Sequence, residues 1–131
     1  MIEYLNEYRS IIHLLLHVIV PAAVAYAFIR LLKPSQVSAF MAFAIMMLTM
    51  VVDADHLVAD PIYAPNRCSI LFHPLHTELP ILLYGLMMLW PLALRLFGKA
   101  VQKRDVVIVW VGAGLTIHMV LDAVDCIWMK F

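Results

Sequence analysis

Imidazole and carboxylate groups recur at helical spacing in three separate stretches of this chain. His13 and His17 are four residues apart; Asp53, His56 and Asp60 follow at intervals of three and four, and His118, Asp122 and Asp125 at four and three. Residues three and four apart share one face of a helix, so each stretch would present a polar stripe. A fourth stretch, F-H-P-L-H-T at 72–77, adds His73 and His76. Imidazole and carboxylate together are the ligand set of zinc and related divalent metals. His13, His17, Asp53, His56, His73, His76, His118 and Asp122 are therefore the expected metal ligands. Eight exceed the three or four that one zinc takes. One or two ions are expected, two being bridged by an aspartate as in centres that activate water and clamp phosphoester oxygens.

The elements that must position these groups are read from hydropathy. Of 131 residues, 65% are hydrophobic and only 14% charged, with mean hydropathy +0.94. A soluble domain carries roughly a quarter charged residues. The composition predicts an all-α, polytopic membrane protein forming one domain over 1–131. Apolar runs of about 20 residues mark membrane-crossing helices, here at about 11–32, 36–58, 79–97 and 106–128, with a long loop between the second and third. Pro21 and Pro91 fall inside helices, Pro34 in the first connection and Pro80 at a helix start. Net charge near zero gives nucleic acid no electrostatic handle. The acidic flank of the first helix argues against a cleaved signal.

Basic residues set the orientation. Arg30, Lys33, Arg95, Lys99, Lys103 and Arg104 flank the connections 1–2 and 3–4, against Arg9, Arg67 and Lys130 on the other side. The six-fold side is expected in the cytoplasm. Both termini and the 59–78 loop then face outward, into the periplasm of a Gram-negative cell. On that map all six histidines and eight of nine carboxylates lie outside, Asp105 being the exception. Lipid does not accept such stripes, so they must face one another. Asp53, Asp55, Asp122 and Asp125 also lie near helix C-termini, where the macrodipole is already negative. Arg9 and Arg67 are too few to offset them, and metal ions are the expected counter-charge.

Several residues keep two readings. Asp55 lies about 200° from Asp53 in a regular helix, so it serves either as a supporting partner or, where the helix unwinds, as the base that activates water. Asp125 is a base, a ligand, a supporting group or a cap. Arg67 pairs with an outer carboxylate or binds a substrate phosphate. Asp60 and Glu78, at the loop edges, read as solvated or capping. Cys68 and Cys126 both map outside, where an oxidising periplasm permits a disulfide across the site; free thiols or metal thiolates are the alternatives.

V-D-A-D-H (Asp53, Asp55, His56), F-H-P-L-H-T (His73, His76) and G-A-G-L-T-I-H-M-V-L-D-A-V-D (His118, Asp122) occur in this order after the histidines of the first helix. The set resembles the predicted membrane-bound metal-dependent hydrolases of bacterial inner membranes, with their D-x-D-H, H-x-x-x-x-H-S and S-H-x-x-x-D patterns. It looks closer still to a small family of bacterial four-helix membrane proteins with N-R-C-S-I and H-P-L-H in the long loop. The loop histidines here are spaced H-x-x-H, and Thr77 stands in place of the serine, which leaves the roles of His73 and His76 undivided.

The expected function is a membrane-embedded, zinc-type hydrolase, with one metal or two, acting on an ester or phosphoester of a lipid or lipid-linked substrate at the outer face of the inner membrane. Asp55 or Asp125 would take the proton from water, and Arg67 would bind substrate. Membrane lipid is the expected partner, and a homo-oligomer is left open. Three rivals stand beside it. A metal or proton transporter or channel needs polar residues through to the other side, where Gln36, Ser38 and Thr49 offer little. A haem protein would not want so many carboxylates near iron. A structural protein whose metal staples the bundle is not separable from an enzyme by sequence.

Overall fold

Small residues decide how closely these helices approach. In lipid there is no hydrophobic drive between helices, so association depends on packing and small side chains at the contacts. The computed structural model describes residues 8–62 except 33–36, then 64 and 67–130; Lys33, Pro34 and Gln36 lie outside them. It is all-helical, 79% of it helix, without strands among the described residues. The four long helices are α1 (Arg9–Leu32), α2 (Ala39–Leu48), α3 (Glu78–Leu96) and α4 (Lys103–Trp128). With its extension over Thr49–Val58, α2 joins α1, α3 and α4 in being long and apolar enough to cross a membrane. The chain is thus built as a multi-pass membrane protein.

The helix α4 is the axis of the fold. Trp110, Gly114, His118, Asp122 and Cys126, spaced by four, are all buried along it. A Cβ at Gly114 would lie 2.8 Å from Met46 Cα on α2; one at Gly112 would lie 2.9 Å from the Met88 nitrogen on α3. These two glycines therefore bring α4 against both neighbours at once. Ala25, Val37, Ala42, Met46, Trp110 and Ala113 form a buried apolar core within the bundle. Phe28 meets the Trp110 ring edge-on at 5.0 Å, a geometry worth about 0.5–1.5 kcal/mol. By contrast α3 buries no residue fully, and exposes Leu79, Leu82, Leu83 and Leu86, as a lipid-facing helix should.

Helix boundaries fall within three residues of the expected ones, and Pro21 and Pro91 sit inside α1 and α3. The departure is in the second crossing. It begins with Ser38 as N-cap, its hydroxyl accepting from the Met41 N–H. After Leu48 it tightens into a 3-10 helix over Thr49–Val58, bringing Asp53 and His56 into eclipse.

Candidate metal centre

The polar stripes of α1, α4 and the 3-10 segment meet at one end of the bundle, and residues 67–77 of the loop close over them. In that loop the Ser69 carbonyl accepts from the Phe72 and His73 N–H groups, and the Leu71 N–H donates to the His76 carbonyl at 3.0 Å. Leu71 takes a positive φ of 64°, a strained choice for a branched side chain that turns the chain back. Pro74–His76 then forms one 3-10 turn. Asp55 holds this turn from below: its Oδ2 accepts from the Leu75 N–H at 2.8 Å and lies 3.1 Å from His76 Nδ1. Tyr84 donates its hydroxyl to the Leu75 carbonyl at 3.1 Å. A disulfide joins Cys68 to Cys126, Cα atoms 5.1 Å apart, fastening the loop to α4.

Two groups of side chains converge beneath this cover. Asp53, His76, His118 and Asp122 form the first, their donor atoms all within 4.8 Å of one another. Asp53 Oδ1 is 3.0 Å from His118 Nε2 and 3.5 Å from His76 Nε2. Asp122 Oδ2 is 3.3 Å from His76 Nε2 and 3.7 Å from His118 Nε2. The second group is His13, His17 and Asp122, in which Asp122 Oδ1 lies 3.2 Å from His13 Nε2 and 3.5 Å from His17 Nε2. One carboxylate thus belongs to both, a different oxygen facing each. A third group, Asp55, His56 and His76, overlaps the first at His76.

Tautomers can be read from the partners. A carboxylate or carbonyl oxygen only accepts, so the His76 Nδ1 beside Asp55 carries the proton, and so does the His17 Nδ1 that reaches the His13 carbonyl at 2.9 Å. The Nε2 lone pairs of both rings then face carboxylate oxygens. Lone pair against anion repels, and His76 Nε2, His17 Nε2 and Asp122 Oδ2 have no hydrogen-bond partner although buried. Buried polar atoms are nearly always satisfied. A cation among them would supply what the protein groups lack.

With protein groups alone around it, His76 takes that cation as a proton. Burial pulls its pKa down, but the contacts with Asp122, Asp53 and Asp55 outweigh burial and push it up to about 10. His73 moves the other way, held below the ordinary imidazole value by burial and by the neighbouring His56. The rings of His56 and His73 stand 3.8 Å apart. His73, expected as a ligand, is buried beside His56 and belongs to none of the three groups.

The remaining expected residues fall as follows. Asp55 was read as a base or a supporting partner; it is buried behind His76, its Oδ2 already engaged. Asp125 stands on the matching side of His13, its Oδ1 4.0 Å from Nδ1, and is paired with Arg9 at 3.4 Å. Arg67 donates to the Pro61 and Ile62 carbonyls at 2.7 and 2.8 Å and lies over the Phe72 ring, so its guanidinium staples the loop. Asp60 and Glu78 are exposed. Arg9 as the partner of Asp125 and Tyr84 as support for Leu75 were not foreseen. A lone tyrosine two turns into an aliphatic helix was the available signal for Tyr84.

Beside the centre, an apolar groove of about 500 Å³ runs between α2, α3 and α4, lined by Leu48, Val52, Leu75, Tyr84, Val111 and Leu115 among others. Val52 and Leu75 are the chain neighbours of Asp53 and His76.

The chain belongs to the family of unknown function DUF6122, whose model matches residues 7–129. No curated protein and no solved structure matches it.

Proposed function

We propose that this DUF6122 chain is a metal-dependent hydrolase embedded in the membrane, with a zinc-type ion held by Asp53, His76, His118 and Asp122. The observation that carries the reading is the lone pair of His76 Nε2, fixed by Asp55 and aimed between two aspartate oxygens. Imidazole with carboxylate favours zinc over calcium or magnesium, which take oxygen ligands. A divalent ion held there by Asp53, His76, His118 and Asp122 would polarise an ester or phosphoryl oxygen and lower the pKa of its water toward neutrality. In the hydrolysis, the water oxygen bonds to the acyl carbon or phosphorus and the ester bond to the leaving oxygen breaks. The water's proton passes through a carboxylate to the leaving alcohol.

Asp55 and Asp125 act in this scheme mainly as positioning residues. Asp55 sits at hydrogen-bond distance from His76 Nδ1, as carboxylates commonly do behind metal-binding histidines, while Asp125 stands 4.0 Å from His13 Nδ1. Partly exposed Asp53 is the carboxylate best placed to meet a substrate and relay its proton. The adjoining groove supports a lipid or lipid-linked ester as substrate, its chain lying among Leu48, Val52 and Leu115 while the head reaches the metal. The basic residues at the opposite helix ends support a periplasm-facing site in a bacterial inner membrane. Transport is less well supported, because the core around Ala42, Met46 and Trp110 is apolar. A purely structural staple is the competing reading, favoured by the way the four ligands tie the loop to two helices.

The test uses the full chain, purified in detergent and loaded with zinc. Ester and phosphoester lipids should be hydrolysed, with the activity removed by a chelator, restored by zinc and lost in Asp53→Ala. Bound zinc without hydrolysis across such a panel would favour the staple, and zinc uptake into proteoliposomes would favour transport.

A further inference from the structure

We infer that the centre takes a second divalent cation, held by His13, His17 and the far oxygen of Asp122. The inference rests on the reading of the neighbouring cluster as a metal centre, and extends it to a group of residues with an independent geometry. His13 and His17 come from one face of α1, which contributes nothing to the first group. His13 Nε2 and His17 Nε2 both point at Asp122 Oδ1, at 3.2 and 3.5 Å. His17 is only 4% exposed. Its Nδ1 proton is committed to the His13 carbonyl, so a lone pair aims at the carboxylate and has no partner.

Coordination number then divides the work. The first group offers four protein ligands and the second three, so the second leaves a position open for water. His13, the ligand on the outer side, has a side chain 29% exposed, so the open position faces the accessible side. The first ion would hold the loop through His76 and polarise the substrate oxygen beside part-exposed Asp53; the second would add an open position for water. Behind it, Asp125 stands 4.0 Å from His13 Nδ1 and is paired with Arg9 at 3.4 Å. Two-metal sites bridged in this way hold their ions about 3.5–4 Å apart.

The experiment counts metals per chain in full-length protein purified from zinc-replete cells, and records the spectrum of manganese-substituted protein for coupling between paired ions. Two zincs per chain are expected, falling to one in His17→Ala and in His13→Ala, with manganese coupling lost in both. His13→Ala at the more exposed position guards against a folding failure in His17→Ala, and circular dichroism checks both. One zinc per chain, unchanged by either substitution, would overturn the second site and leave the first standing. No zinc at all would sink both. Two zincs retained when both histidines are replaced would also overturn the assignment.

Discussion

The helix α4 buries an aspartate near each end, and the two could hardly be held more differently. Asp105 lies in the first turn, where the helix dipole favours a negative charge. It is 3% exposed, and both oxygens are satisfied: Trp90 Nε1 donates to Oδ1 at 3.0 Å and the Gln102 N–H to Oδ2 at 2.8 Å. Asp122 lies two turns from the other end, where the dipole opposes it, and is 5% exposed. Its near neighbours are imidazole nitrogens, at least one of which offers a lone pair, and its Oδ2 has no hydrogen-bond partner. An unpaired buried carboxylate costs several kcal/mol. Asp105 is complete as a structural device, while Asp122 is complete only when a cation joins it.

Substituting the two aspartates should separate these roles most sharply. Asp122→Ala should abolish bound metal altogether, because it removes a ligand from both groups. Asp105→Ala should leave metal content unchanged and lower stability by about 1–3 kcal/mol, through the lost cap and the unpaired indole N–H. Metal analysis with thermal unfolding in detergent reads both. Metal retained in Asp122→Ala would collapse the distinction.

A smaller effect is expected one step behind the ligands. Asp55→Ala removes the group that fixes the His76 tautomer and anchors the Leu75 N–H, so affinity for zinc should fall about 10–100-fold. Competition against a chelator of known affinity measures it. No change would mean that the loop positions His76 without Asp55.

Smaller again, and read in stability, is the contrast between the two glycines. Gly114→Ala presses α4 against the Met46 backbone of the crossing that carries Asp53. Overpacking of this kind costs about 1–3 kcal/mol, and zinc affinity should weaken with it. Gly112→Ala presses on α3, which supplies no ligand, so it should destabilise without weakening zinc. Equal zinc affinity in the two variants would place the strain elsewhere.

Sequence periodicity made the crossings legible, since each is a long apolar run that only a helix can carry through lipid. The gathering of His17, Asp53, His76, His118 and Asp122 at one end was legible too, from spacing and loop side alone. Three features were not. The change to 3-10 geometry after Leu48 depends on what the segment packs against, and it decides how Asp53 and His56 line up. The hold of Asp55 on Leu75 and His76 spans a loop whose path no local pattern dictates. The division of Asp122 between two groups is a property of its separate oxygens, whereas a sequence names only the residue.

A further effect is a pH dependence confined to metal-free protein. His76 has its pKa raised to about 10 by three aspartates, against about 6.5 for a free imidazole. A group whose pKa is higher folded than unfolded binds a proton more tightly in the folded state, so it stabilises fully below the unfolded value. That contribution is lost as pH rises from about 6.5 toward 10. Metal-free protein should therefore melt at a lower temperature at about pH 9.5 than at about pH 6.5. His76→Gln should flatten the slope, as should zinc, which replaces the proton at Nε2. A slope surviving in His76→Gln would assign the titration to another group and remove His76 as the residue that holds the proton in metal-free protein.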